Sequence, residues 1–325
     1  MKTLMQHQKI KKLLKEVEVC LEEMVEFDDV FLREAALFNM QAGGKRLRPL
    51  FVLLSAQYFG VHNKDIVKFA TIMELVHMAS LIHDDVNDHS SLRRGQKTLN
   101  VKYNNNVAVH SGDYILIEAL KKVYEIPHSD ILLQILSETA IEMSKGEIAQ
   151  LASLFDIHQN IESYNYRIER KTALLIAVCC KTGAILSNAS NDEIDAFYKY
   201  GFHLGMAFQI KDDLMDIQGT NIQLGKPNGN DLKNGLVNLP TILLLEKDFP
   251  EKVEIQERIK NQFPNGQDDI DFIMPFIQAP EIISACEDII YQHINAAKEI
   301  LNDFRANDTR NLLFEASDYI YERLK

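Results

Sequence analysis

Apolar residues recur three and four positions apart through much of the chain. Ile131, Leu132, Ile135, Leu136, Ala140 and Ile141 lead on to Ile148, Leu151 and Leu154, the period of a helix with one face turned inward. Strand-like alternation is hard to find anywhere. Proline inside a helix deletes a hydrogen bond and clashes with the preceding turn, and none stands between Pro127 and Pro227. Breakers gather at Gly43-Gly44, Gly60 to Asn63, Ser90 to Gly95, Pro127-His128, Ser187 to Asn191, Gly219 to Gly235 and Phe263 to Asp269. They divide the chain into roughly ten helices. With no internal repeat, low-complexity tract or long linker, residues 1–325 read as a single large all-α domain. The longest apolar region, Ala173 to Leu186, carries Lys181 and is too short for a bilayer, so it reads as a core helix rather than a membrane span. The longest irregular piece, Gly219 to Asn238, exceeds the length at which loops are usually functional.

Composition narrows the partners. The chain is 46% apolar and 25% charged with a net charge of −12, so no domain-scale basic field exists to hold a nucleic acid. A small phosphorylated ligand, which needs only a local basic cluster or metal ions, still fits. Cys20, Cys179, Cys180 and Cys286 form no C-x-x-C pair and read as buried thiols in a reducing compartment. The lysine-rich start lacks the apolar run of a signal peptide, so a cytoplasmic protein is expected.

Two acidic clusters share one spacing. In His83-Asp84-Asp85-Val86-Asn87-Asp88, residues four apart share a helix face, so Asp84 and Asp88 project together with Asp85 beside them. One such cluster is most simply a solvated helix end. Gln209-Ile210-Lys211-Asp212-Asp213-Leu214-Met215-Asp216 repeats the D-D-x-x-D spacing after an apolar approach, Leu204 to Phe208, and so reads as the end of a buried helix. Buried carboxylates must be paired or must bind metal. All-oxygen ligands without thiolates suit magnesium, whose shell is commonly completed by substrate phosphates. Basic residues lie among the acids: Gly43-Gly44-Lys45-Arg46-Leu47-Arg48-Pro49, Arg93-Arg94-Gly95, Lys171-Thr172, Lys211, Lys226 and Lys233. Arginine forks match phosphate oxygens. Singly, each is most simply a surface cation; two acidic triads interleaved with phosphate-binding groups are hard to explain as solvation.

These motifs resemble the trans-prenyl diphosphate synthase family from Gln41 to about Pro240. The family pattern is G-G-K-R-x-R-P, L-x-H-D-D-x-x-D followed by R-R-G, K-T, Q-x-x-D-D-x-x-D and G-K-x-x-x-x-D-L, and every element stands here in order. The resemblance implies helices of the isoprenoid synthase type around a central active-site cavity. It implies magnesium held by Asp84, Asp88, Asp212 and Asp216, with Asp85 and Asp213 in support. Arg93, Lys171, Thr172, Gln209, Lys211 and Lys226 would hold the allylic diphosphate, and Lys45, Arg48, His77 and Arg94 isopentenyl diphosphate. His77 could equally be a satisfied core histidine; its place seven residues before Asp84 favours the ligand role. The implied reaction is ionisation of the allylic diphosphate, attack by the isopentenyl double bond, and proton loss to the released diphosphate.

Product length is read on the helix that ends at Asp84. A growing tail would pass Ser80 and Ala79, then His77 and Val76, then Met73, at successive turns. Alanine and serine in the first turn leave the passage open, which predicts a product longer than farnesyl. Gln41 to Pro49, Met78 to Val86 and Arg170 to Val178 resemble the large subunit of bacterial two-component hexaprenyl and heptaprenyl synthases. That branch implies farnesyl diphosphate as primer, a hexaprenyl in preference to a heptaprenyl product, a small non-catalytic partner subunit and a product that becomes a quinone side chain. A homodimeric synthase of other chain length is the alternative. A terpene cyclase would replace the second triad with an asparagine/serine/glutamate motif, and a regulatory subunit would lack the intact acids.

Overall fold

The computed structural model describes residues 4–218 and 228–322 and is all-helical, 77% helix. Among the described residues there are sixteen α-helical segments: α1 (Gln8–Met24), α2 (Val30–Gln41), α3 (Leu47–Tyr58), α4 (Lys64–Asn87), α5 (Leu99–Lys102), α6 (Asn105–Val123), α7 (Ser129–Ala152), α8 (Ile161–Ile168), α9 (Leu174–Ile185), α10 (Asn191–Gln218), α11 (Asn230–Lys233), α12 (Leu239–Glu246), α13 (Lys252–Lys260), α14 (Gln267–Ile277), α15 (Pro280–Asn302) and α16 (Asp308–Tyr321). The sequence pattern suggests roughly ten. The excess has a physical source: α5 and α11 are single turns, and the break between α7 and α8 has neither glycine nor proline. Asn160 ends it by capping, its Oδ1 accepting from Ser163 N at 2.9 Å while Ser163 Oγ accepts from Asn160 N at 3.1 Å, a reciprocal cap that satisfies two exposed donors. Pro275 sits inside α14, against the rule used to place boundaries.

The chain divides into two compact units, the first comprising Met1–Ser137, Val178–Tyr198 and Ala306–Leu313. Its centre is α4, which starts where Asn63 Oδ1 accepts from Ile66 N at 3.0 Å and packs against α1, α3 and α6. Phe69, Ile72, Met73, Leu75, Met78 and Ala79 are all buried, so the helix is apolar on every side. A helix of that kind is either a core element or a membrane span. Its length and composition would permit crossing a bilayer, but 61% of the apolar window lies buried within the protein, which makes it the core. After α4 comes the one strand pairing among the described residues, an antiparallel hairpin of Leu92–Arg93 with Gln96–Lys97. Its two turn residues, Arg94 and Gly95, have φ of 52° and 79°, the left-handed pair that matches strand twist in a two-residue hairpin.

The second unit comprises Glu138–Ala177, Lys199–Arg305 and Phe314–Lys325. Here α8 runs into one wide π turn, Glu169–Ala173, before α9. Against this turn lies α10, at Gly205. A Cβ at that position would stand 2.4 Å from Ala173 Cα and 2.8 Å from its Cβ, so only glycine permits the approach. Gly205→Ala is expected to lower stability by about 1–3 kcal/mol, the usual cost of overpacking. Urea unfolding checks this, and an unchanged midpoint would contradict the close packing.

Candidate active site

In the first unit the Gly43–Pro49 loop, α4 and the hairpin converge. Arg46 is left-handed at φ 49° and 8% exposed, its guanidinium bonded to Glu74 at 2.8 Å and Glu18 at 2.7 Å. It fixes the loop to α4 and α1. Gly44 then lies so close to Arg94 that a Cβ would meet Arg94 Nη1 at 2.6 Å, and Gln96 Nε2 donates to Gln41 O at 3.2 Å. Arg48, in the first turn of α3, lies near enough to His77 and Arg94 for their charges to interact. Arg48 Nε is buried with no hydrogen-bond partner among the described residues. Burial lowers the pKa of the Arg48 and Arg94 guanidiniums, with Glu74 the main acid opposing it. Such cations are under-compensated, and an incoming polyanion would relieve them. Burial first, then the charges of Arg48, Arg94, Arg93 and Arg46, hold His77 well below the ordinary histidine range, so it is neutral at pH 7. Lys45 is exposed at the start of this loop.

The first acidic triad lies at the end of α4. Asp84 is half-buried, Asp85 buried and Asp88 exposed. Arg93 grips Asp85 Oδ1 through Nε at 2.8 Å and Nη2 at 2.7 Å, so in this state it partners an acid of the triad. Burial raises the Asp85 pKa and Arg93 opposes the rise. Among the residues placed along the tail path, Met73, Val76 and Ala79 are buried, and Ser80, half-buried, donates its hydroxyl to His77 O at 2.9 Å.

In the second unit the π turn presents Lys171 and Thr172 beside α10; such turns are frequent at functional sites. Thr172 Oγ1 donates to Gln209 Oε1 at 2.6 Å, Gln209 Nε2 to Asp213 Oδ1 at 2.8 Å, and Lys171 pairs with Glu147 at 2.6 Å. Asp213 and Asp216 are buried at 3% exposure each. Asp212, however, is exposed, which corrects the expectation of a wholly buried triad: α10 buries one side of its last turns and leaves the Asp212 side to solvent. Burial, then the charge of Asp231, push the Asp213 carboxyl up to about 7, an excess of negative charge that a cation at the Asp212 side would offset. Lys211 is buried with its ammonium 5.6 Å from the centre of the Tyr321 ring. Lys226 lies outside the described residues, and Lys233 is an exposed residue of α11.

Among the described residues no three His, Cys, Asp or Glu side chains converge into a closed metal cage. The donor set is nonetheless all-oxygen within each triad, which fits a hard divalent cation whose shell is completed by other oxygen ligands. Several residues escaped the motif reading: Glu18 and Glu74, which bind Arg46; Gln96, which braces the loop; and Tyr164, Arg167 and Asn238 behind the second triad. Only the polar types of Glu74 and Arg167 amid apolar helix faces could have flagged them.

Comparison with known proteins places these features. The polyprenyl synthetase profile matches residues 29–276. Heptaprenyl diphosphate synthase component 2 of Bacillus subtilis is 38% identical over 313 residues, 94% of this chain and 87% of that protein. The protein of the same description from Geobacillus stearothermophilus is 37% identical, covering 94% of each. Heptaprenyl diphosphate synthase of Staphylococcus aureus superposes with a TM-score of 0.91 at 30% identity, covering 97% and 98% of the two chains. A polyprenyl synthase of Caulobacter crescentus, crystallised with calcium and isoprenyl diphosphate, superposes at 0.92 and 30% identity, covering 98% and 97%. The fold is thus that of an isoprenoid synthase. The chain belongs to the polyprenyl synthetase family and is a prenyltransferase, a polyprenyl diphosphate synthase.

The depressed His77 pKa has a measurable consequence. Below about pH 6.5 the unfolded chain takes up a proton at this residue that the folded chain refuses. Stability is therefore lost as pH falls from there toward the folded pKa, by up to about 1.4 kcal/mol per pH unit for one histidine. Above pH 7 the residue contributes no slope. His77→Gln is expected to flatten the decline between pH 6.5 and 5 in urea-midpoint measurements; an unaltered slope would show His77 to be accessible to protons.

Proposed function

We propose that the chain is the catalytic, large subunit of a two-component medium-chain synthase that extends farnesyl diphosphate with isopentenyl diphosphate in the cytoplasm. The observation carrying this reading is the under-compensated Arg48 and Arg94 gathered about neutral His77, with Arg48 Nε buried and unpartnered among the described residues, a site suited to a polyanion. The motif stretches lean toward a hexaprenyl product. The Bacillus, Geobacillus and Staphylococcus relatives are heptaprenyl synthases, and heptaprenyl is the length adopted here, the product serving as a quinone side chain. Residues 1–325 are taken as one polyprenyl synthase domain.

Asp84, Asp88, Asp212 and Asp216, with Asp85 and Asp213 behind them, are assigned to magnesium. When bound it supplies Lewis-acid neutralisation of the departing diphosphate. Arg93, Lys171, Thr172, Gln209, Lys211 and Lys226 are assigned to the allylic diphosphate. Lys45, Arg48, Arg94 and His77 hold isopentenyl diphosphate, His77 as a neutral donor that costs no added charge among the arginines. The double bond attacks the allylic cation, and the released diphosphate takes the proton, which leaves no side-chain base to be found.

The small partner is proposed from the "component 2" relatives. One exposed surface suits it: Ile141, Ile148 and Tyr166, which line one depression, are 56%, 66% and 42% exposed.

The test is product analysis with labelled isopentenyl diphosphate and farnesyl diphosphate, with and without a candidate small subunit. Heptaprenyl product that requires the subunit supports the reading; a full-length product from the chain alone overturns the two-component part. Asp84→Ala and Asp212→Ala are expected to lower turnover at least a hundredfold with the fold intact by circular dichroism, and near-normal rates in either would remove the metal assignment. Ala79→Phe puts a ring about 7.5 Å back along the axis from Asp84, and should shorten the product while sparing the first condensation. Full-length product from that variant would mean the tail runs elsewhere than past Ala79, Ser80, Val76 and Met73.

A further inference from the structure

Both buried acids of the second triad are held from α8, a helix in which no motif falls. Tyr164 is fully buried, and its hydroxyl donates to Asp213 Oδ2 at 2.7 Å. One turn on, Arg167 is 3% exposed. It donates to Ser153 Oγ at 3.1 Å, Val237 O at 3.3 Å and Asn238 Oδ1 at 2.8 Å. Asn238 Nδ2 in turn donates to Asp231 Oδ2 at 3.3 Å, and the Asp231 backbone N–H donates to Asp216 Oδ2 at 3.0 Å. Two relays therefore leave one face of α8, since residues three apart are neighbours on a helix. One reaches Asp213 directly, and the other reaches Asp216 through Asn238 and Asp231.

We propose that Tyr164 and Arg167 are positioning residues that set the direction of the Asp212-Asp213-Asp216 carboxylates, and through it the strength with which this cluster holds a divalent cation. The inference rests on the metal role assigned to Asp212 above. A purely structural part is a poor account of these side chains. Phenylalanine would fill the Tyr164 space without a hydroxyl to desolvate, and a buried guanidinium is costly where an apolar side chain would pack. What the polar pair adds is direction. With Asp213 fixed as a root on the buried side, and Asp216 fixed by a backbone N–H, the turn that carries exposed Asp212 has its orientation determined before any ligand arrives. Groups of this kind behind a metal ligand commonly alter affinity or activity 10–100-fold.

The test measures manganese binding by electron paramagnetic resonance, with inorganic diphosphate present, on the full chain and on Tyr164→Phe, Asn238→Ala and Asp212→Ala. Melting temperatures and the magnesium dependence of kcat and KM are recorded in parallel. Tyr164→Phe keeps the ring and removes only the donor; Asn238→Ala cuts the second relay and decides the matter if Tyr164→Phe does not fold. Half-saturation by manganese is expected to rise about tenfold in Tyr164→Phe and several-fold in Asn238→Ala, with melting close to the parent and the rate recovering at high magnesium. Unchanged binding in both, with binding lost in Asp212→Ala, overturns the positioning role. Unchanged binding in Asp212→Ala as well overturns the metal reading beneath it.

Discussion

Arg46 is the contact on which the first cluster depends. It sits in left-handed backbone, nearly buried, between Glu74 of α4 and Glu18 of α1. A buried guanidinium held by one acid alone would be unstable. Held by two, it locks the glycine loop to the central helix. Around that lock, Gly44 lies close against Arg94, Arg48 acts on His77, and the hairpin is braced through Gln96. Glu74 is bonded to Arg46, and its charge offsets only part of the burial of Arg48 and Arg94. The arginines of a single short motif thus divide into one that builds and one that waits for an anion.

The second cluster reverses the sign and keeps the logic. Here two of the three acids are buried, and Asp213 accepts from two neutral donors, a tyrosine hydroxyl and a glutamine amide. The geometry of Asp213 is fixed by these two donors. Lys171 is engaged by Glu147, and the Lys211 ammonium lies near the Tyr321 ring.

Much of this was legible in the residues alone. The three-and-four spacing of α7 and the doubled D-D-x-x-D pattern carry their meaning in local order, because helix geometry converts spacing directly into a shared face. Boundaries set by glycine and proline were legible too, as at Gly60 to Asn63. The α7–α8 break was not, since a capping asparagine ends a helix without either breaker. The π turn was invisible, since one additional residue in a turn leaves composition unchanged. The hairpin at Arg94 is too short for an alternating pattern. The supporting residues, Glu18, Glu74, Tyr164, Arg167 and Asn238, were hidden for a different reason: their partners lie far away in sequence, and no periodicity reports on distant contacts.

The wide turn at Glu169–Ala173 bears on how this chain tolerates change. A π turn is an α-helix that has accepted one residue without being cut. Removing a single residue from it would restore an uninterrupted helix, with every backbone bond still made. The helices on either side would keep their facing, because the wide turn spends one residue more than an α turn to cover the same angle. Lys171 and Thr172, inside the turn, would instead lose the widened spacing that sets them beside α10. A reading-frame-preserving loss of one codon would here spare the helix and undo only the side chains that the turn displays.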